Sequence, residues 1–178
     1  MLSRLAIRAT LAATLVGTLM TPRVAAEGDI RPTHVRSTER HVVDALRQGY
    51  DRSPTFRRLV DELEASDVIV YVQPATQLPG SLRGHIRFAV ATAANRYLRI
   101  FVSAKVRGDA FIALVGHELQ HAGEVARSPF VRDDRSLAVL YRVIGDANSA
   151  GWDTDAACGI GAIVQDELRR GTRQVNGQ

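Results

Sequence analysis

The segment His117-Glu118-Leu119-Gln120-His121 carries more structural and chemical information than any other part of this 178-residue chain. Residues four apart lie on one face of an α-helix, so His117 and His121 can offer two imidazoles to one metal ion. Glu118 lies about 100° around the helix from His117. From there its carboxylate can take a proton from a water molecule that the metal activates. The five residues therefore combine two candidate metal ligands with a candidate general base.

The residues around this segment predict a buried helix over 109–126. Glu118 is the only charged residue from Ala110 to Gly123. We expect Asp109 to cap the start of the helix, and Ser128-Pro129 to end it. A lone carboxylate in a buried apolar helix is costly unless it is paired or lies beside a metal ion. The alternative is a buried helix without a metal ion, in which the two histidines hydrogen-bond each other or the backbone.

The stretch 114–123, in which uncharged residues surround the two histidines and the glutamate, resembles the active-site helix of the zincin metallopeptidases. The resemblance is to the glutamate zincins in particular. It implies an α+β fold in which a small twisted antiparallel or mixed sheet packs on this helix, with further helices toward the C-terminus. It also implies a Zn²⁺ ion held by His117 and His121, with Glu118 as the general base. In zincins a substrate peptide pairs with the edge strand of the sheet, and our candidate for that strand is 85–91.

The third metal ligand has to come from elsewhere in the chain, because catalytic zinc usually has three protein ligands. A metzincin would place a histidine six residues after the second one, where this chain has Arg127. The glutamate zincins use a carboxylate from a later helix, and Asp153 and Asp155 open the last predicted helix. Helical spacing from Asp153 follows an apolar stripe, whereas the line from Asp155 is more polar, so Asp153 is the better candidate. Its alternative role is to cap the helix.

Glu124 is the rival to Asp153 for the third ligand position. It lies three residues after His121 and shares the face of the two histidines. It could bind the metal, hydrogen-bond a ligating imidazole, or form an ordinary surface ion pair. Tyr141 and His85 can donate a hydrogen bond to an oxyanion, so both are candidates for that task, with a structural role as the alternative.

The first 26 residues read as a secretory signal peptide. Arg4 and Arg8 form the positively charged start, and Ala9 to Met20 is an uncharged stretch that is too short for an ordinary membrane span. Val24-Ala25-Ala26 is a small-residue cleavage site, which places the mature start at Glu27. We therefore expect an exported protein, periplasmic or extracellular, with no stable membrane association after cleavage. The alternative is an uncleaved N-terminal anchor.

Apolar periodicity and turn residues predict the remaining elements. Residues 27–52 form a lead-in with a possible short helix at 39–48, and 53–178 form a single metal-binding domain. Ser53-Pro54 starts a helix that ends near Ala65. Asn95 lies between two strand candidates, which predicts an antiparallel pair. The other predictions are strands over 68–72, 85–91 and 97–102, a loop over 74–80, helices over 134–144 and 153–170, and a loop over 145–151.

The net charge and the single cysteine bear on possible partners and on disulfide formation. Loss of Arg4, Arg8 and Arg23 with the signal peptide lowers the formal net charge from +4 to +1, so we expect no nucleic-acid partner. Cys158 is the only cysteine and cannot form an internal disulfide. We expect it to be a buried small hydrophobic residue, with metal ligation or thiol reactivity as the alternative.

These observations predict a secreted zinc-dependent hydrolase that acts on a peptide or protein substrate. One alternative is an exported metal-binding or interaction protein that keeps a zincin scaffold without turnover. A further alternative is a structural domain in which the histidine–glutamate pattern is coincidental.

Overall fold

The computed structural model describes residues 33–148 and 151–176. Within these ranges the chain has an α+β architecture with five helices, a mixed four-stranded sheet and a small two-stranded sheet. The elements, in chain order, are β1 (Val35–Arg36), α1 (Arg40–Arg52), α2 (Pro54–Glu64), β2 (Val68–Ala75), β3 (Gly84–Ala91), β4 (Arg96–Ser103), α3 (Gly108–Ala126), α4 (Asp134–Ile144), β5 (Asp146–Asn148), β6 (Gly151–Asp153) and α5 (Asp155–Asn176).

The predicted signal peptide, 1–26, lies outside the described residues, so it stays a prediction. None of the helices within the described ranges is long and apolar enough to cross a membrane. The predicted lead-in, 27–52, contains β1 and α1, which place Val35, Val42 and Leu46 in the same core as the later elements.

The larger sheet has the strand order β1-β2-β4-β3. The first two pairings are parallel, whereas β3 runs antiparallel to β4, with Ile86 opposite Ile100. This confirms the predicted antiparallel pair, and it confirms that the strand over 85–91 lies at an edge of the sheet. β2 continues past the predicted end at Val72 to Ala75, because β4 pairs alongside it as far as Ser103.

One face of the sheet packs on α3, which carries the histidine–glutamate segment. Val70, Leu98 and Ile100 are fully buried there, as are Leu119 and Val125 of the helix. This burial follows from alternation along the strands and from the nearly uncharged sequence of α3. The helix is therefore fixed between the sheet and the other helices, which gives its side chains a rigid support.

Small residues bring the helices close to one another. A β-carbon on Gly116 of α3 would lie 3.2 Å from Cγ2 of Val164 in α5.

The start of α2 is capped as predicted, since the Ser53 hydroxyl accepts a hydrogen bond from the Phe56 N–H at 3.0 Å. The helix also starts with Pro54 and ends at Glu64, as its sequence indicates.

The C-terminal end of α3 is held by one buried arginine, Arg96 of β4. Its guanidinium group donates to the carbonyls of Val125, Ala126, Ser128 and Val131. It also forms two hydrogen bonds with the carboxylate of Asp67, at 2.8 and 2.6 Å. The last carbonyls of a helix have no hydrogen-bond donor within the helix. Arg96 supplies donors to the carbonyls of Val125 and Ala126 at the end of α3.

Several local predictions are wrong. The predicted loop over 145–151 contains strands β5 and β6, which pair as an antiparallel hairpin, and α5 begins at Asp155 rather than Asp153. Asp109 does not cap α3, because the helix already includes Gly108 and the Asp109 carboxylate pairs with Arg52 at 2.8 Å. Cys158 is exposed rather than buried, and its thiol interacts with the Asp153 carboxylate instead of packing in the core.

Candidate metal centre

The two histidines of α3 project from adjacent turns toward one point. Their ring centroids are 4.9 Å apart, and the ring planes are nearly perpendicular at 83°. His121 is buried, whereas His117 is partly exposed. This is the arrangement that the i, i+4 spacing of the sequence predicts for two imidazoles on one helix face.

Asp153, at the end of β6, reaches the same point from the opposite side. Its Oδ1 atom lies 3.4 Å from Nε2 of His117 and 3.4 Å from Nε2 of His121. The Thr154 N–H donates to the same carboxylate oxygen at 2.8 Å and so fixes its direction. Close backbone packing holds β6 in place, because a β-carbon on Gly145 would lie 2.9 Å from the Asp153 carbonyl oxygen.

His117, His121 and Asp153 thus form a group that could hold a metal ion. One ligand atom from each residue lies within 4.8 Å of the others. Two imidazole nitrogens and one carboxylate oxygen are a donor set of the kind that catalytic zinc sites use, with one further position left for water or substrate. All three residues also line a cavity of about 500 Å³.

Glu124 is not a member of this group; it hydrogen-bonds one of its imidazoles. Its Oε2 atom lies 2.9 Å from Nδ1 of His121. Its other carboxylate oxygen accepts from the Thr154 hydroxyl at 2.8 Å, and that hydroxyl accepts from the Ala157 N–H at the start of α5. With Nδ1 donating to Glu124, the Nε2 atom of His121 keeps its lone pair for a metal. Because its hydroxyl accepts from the Ala157 N–H, Thr154, and not Asp153, is the cap of α5.

The charges in the group favour a cation at its centre. Burial opposes a charged imidazole at His121, but hydrogen bonds to Asp153 and Glu124 outweigh burial and raise the pKa of His121 to about 9. Burial also opposes charge on Asp153, yet its hydrogen bond with His121 and the charge of His117 lower the pKa of Asp153 to about 2. The two carboxylates therefore stabilise positive charge between them.

Glu118 lies beside the group rather than in it. Its Oε1 atom is 4.0 Å from Nε2 of His117, and the residue is only 4% exposed. Burial raises the pKa of Glu118 to about 7. The space for this carboxylate exists because β3 begins with a glycine: a β-carbon on Gly84 would lie 2.0 Å from Oε1 of Glu118.

The cavity lies between the start of β3 and helix α4, with β6 at one side. The two candidate oxyanion donors, Tyr141 and His85, both line it. The Tyr141 hydroxyl donates to the His121 carbonyl at 3.3 Å, which supports a structural role. Burial raises the pKa of Tyr141 well above its usual value, so its proton is retained. The half-buried His85 ring remains the candidate without such a contact among the described residues.

Sequence reasoning missed three residues that shape this site: Gly84, Thr154 and Trp152. Trp152 lines the cavity beside Asp153 and is 46% exposed, which is unusual for so large an aromatic residue. Thr154 and Gly84 act through contacts with residues at least 30 positions away, so no local pattern marks them. An isolated tryptophan in a polar loop was the one signal that could have been used.

Comparison of the chain with protein-family models, with curated proteins and with solved structures gives no significant match.

Proposed function

We propose that this protein is a zinc-dependent hydrolase with a zincin-like fold, and that its substrates are peptides. The observation that carries the proposal is the convergence of His117, His121 and Asp153, with the buried Glu118 carboxylate beside them. The fold supports the zincin-like assignment. A mixed sheet with an antiparallel edge strand packs on α3, the helix that carries His117, Glu118 and His121.

The three ligand residues would hold Zn²⁺, and the bound ion would supply a Lewis acid that acidifies water and polarises a carbonyl group. Glu118 accepts the proton of the attacking water as its oxygen adds to the scissile carbonyl carbon. When the C–N bond breaks, Glu118 passes that proton to the departing amine nitrogen. Glu124 keeps the His121 ring oriented throughout.

The edge of β3 offers a place for an extended substrate. Backbone groups of an edge strand that do not pair within the sheet can bind a peptide as an additional strand. Gly84, at the start of this edge, adjoins Glu118, so a peptide paired there would bring a backbone carbonyl close to the proposed base. This geometry favours a peptide over a small-molecule substrate.

The experiment that tests the proposal compares the zinc-loaded wild-type chain starting at Glu27 with the Glu118→Gln variant on a panel of peptides. We expect the variant to keep zinc and lose at least about 100-fold in kcat, because only the proton acceptor is removed. Glu62→Gln, an exposed substitution of the same chemistry on α2, is the matched control and should keep full activity. Equal activity of Glu118→Gln and wild type would refute the mechanism. Zinc binding without hydrolysis of any peptide would favour a metal-binding protein without turnover.

A further inference from the structure

The pairing of β3 with β4 determines which backbone groups of β3 face the open edge of the sheet. The Ser103 N–H donates to the Arg83 carbonyl at 2.7 Å, and Gly84 lies opposite Val102. In antiparallel pairs, hydrogen-bonded and non-hydrogen-bonded positions alternate. The backbone groups of His85 and Arg87 therefore face β4, whereas those of Gly84, Ile86 and Phe88 face outward.

One of these outward groups is already occupied by a side chain of α4. The Phe88 N–H donates to Oδ1 of Asp134 at 3.3 Å. A carboxylate oxygen thus stands where a paired substrate strand would bring its carbonyl. Between the Glu118 carboxylate and Asp134, the edge keeps the backbone groups of Gly84 and Ile86 for an incoming peptide.

The cavity extends along the same part of β3, from its start to Asp134. It is lined by the segment from Ser81 to Arg87 on one side and by Leu137, Ala138 and Tyr141 of α4 on the other, and Asp134 lies at its Phe88 end. Asp134 is exposed, and although Arg87 and Arg99 line a pocket with it, neither these nor any other Lys or Arg side chain in the described parts of the chain lies within 4.0 Å of its carboxylate. Its second oxygen can therefore accept a hydrogen bond from a ligand.

We propose that the cleft binds peptides by their free amino terminus, with the protonated α-amino group paired to Asp134. This inference rests on the proposed function and names its substrate class. From Gly84 to Ile86 the edge spans about 7 Å, so only two or three substrate residues fit between the scissile bond and Asp134. A continuing chain would have to displace Asp134 from the Phe88 N–H, whereas the ammonium group of a chain that ends there forms a charge-assisted hydrogen bond with the Asp134 carboxylate.

Two substitutions separate the charge of Asp134 from its contact with the strand. Asp134→Asn keeps an acceptor for the Phe88 N–H but removes the negative charge, and Asp134→Ala removes both. Neither touches the cap of α4, because that cap is Asp133, whose carboxylate accepts from the Ser136 N–H at 2.7 Å. Asp155→Asn, in the exposed first turn of α5, is the matched control.

The test uses one zinc-loaded chain and pairs of peptides that differ only in acetylation of the amino terminus. For the wild type we expect cleavage two or three residues from the free terminus, and at least about a tenfold lower kcat/KM after acetylation. Asp134→Asn should remove most of this difference, and Asp155→Asn should keep it. Equal cleavage of free and acetylated peptides, or cleavage far from the terminus, would overturn the inference.

A binding measurement keeps this inference distinct from the proposed function. Calorimetry with the zinc-loaded Glu118→Gln variant compares the same peptide pairs without turnover. Tighter binding of the unblocked peptide, lost in the Glu118→Gln and Asp134→Asn double variant, supports the amino-terminal site even where the wild type hydrolyses nothing. Equal binding of both peptides, or no binding of either, overturns it. Absence of hydrolysis by the wild type contradicts the proposed function alone.

Discussion

Gly84 and Glu118 are complementary: the missing side chain of the first provides the space that the carboxylate of the second occupies. A β-carbon on Gly84 would lie 2.0 Å from Oε1 and 2.7 Å from the carboxyl carbon of Glu118. The two residues lie on different elements, the edge strand β3 and the helix α3. The position of the proposed general base therefore depends on the identity of a residue outside its own motif.

Gly84→Ala should displace the Glu118 carboxylate while leaving the ligand residues in place. We expect zinc to be retained and kcat to fall by about 100-fold, because small displacements of a catalytic group are costly. Gly159→Ala is the control, since a β-carbon on Gly159 of α5 meets nothing within 4 Å. Wild-type turnover in Gly84→Ala would show that Glu118 does not need this position.

Glu124→Gln should weaken zinc binding without abolishing it. The carboxylate that accepts from His121 Nδ1 is replaced by an amide, so the imidazole becomes a weaker ligand. The expected loss of zinc affinity is about 10- to 100-fold, measured by competition with a chelator. If Glu124→Gln bound no zinc at all, Glu124 itself would be a ligand.

Arg96→Met should destabilise the fold. The side chain is 1% exposed, and its loss leaves the carbonyls at the end of α3 and the Asp67 carboxylate without their partner. We expect the free energy of unfolding to fall by about 3 kcal/mol in denaturant titrations. Arg99→Met, at an exposed position of the same strand, should change it by much less. A similar small change in both variants would contradict the role assigned to Arg96.

Asp67 should make the stability of the protein depend on pH in the acid range. Its hydrogen bonds from Arg96 hold the pKa of the carboxyl below its ordinary value of 3.8. A group with a lowered pKa in the folded state contributes stability above that ordinary value and loses it as the pH falls through the folded pKa. Asp67→Asn should therefore be less stable than wild type at neutral pH, with the difference shrinking below about pH 4. A constant difference from pH 7 to pH 2 would exclude this origin.

Elements with strong local signals were predictable. Ser53-Pro54 fixes the start of α2 through a side-chain cap, and α4 runs from Asp134 to Ile144 as its apolar spacing indicates. The strands around Asn95 also pair as predicted. In each case the structure follows from residues within one turn or one hairpin, so a single sequence contains the information.

Asp153, the candidate third ligand, lies beside the two histidines for a reason that its local sequence does not show. Helical spacing favours it as a member of the last helix, but it lies in β6, two residues before α5 begins. What brings it to the histidines is the β5–β6 hairpin, whose three-residue strands carry no periodic signal. Gly84 and Thr154 were missed for a related reason, because their roles depend on contacts between distant segments.

The central claim is that His117, His121 and Asp153 hold a zinc ion, and elemental analysis of the chain starting at Glu27 tests it most directly. The wild type should contain about one zinc per chain, and Asp153→Ala should lose most of it. Asp155→Ala, two residues further on in the exposed first turn of α5, should keep the wild-type content. A folded wild-type chain that stays free of metal after zinc is offered would contradict the account, as would full zinc content in Asp153→Ala.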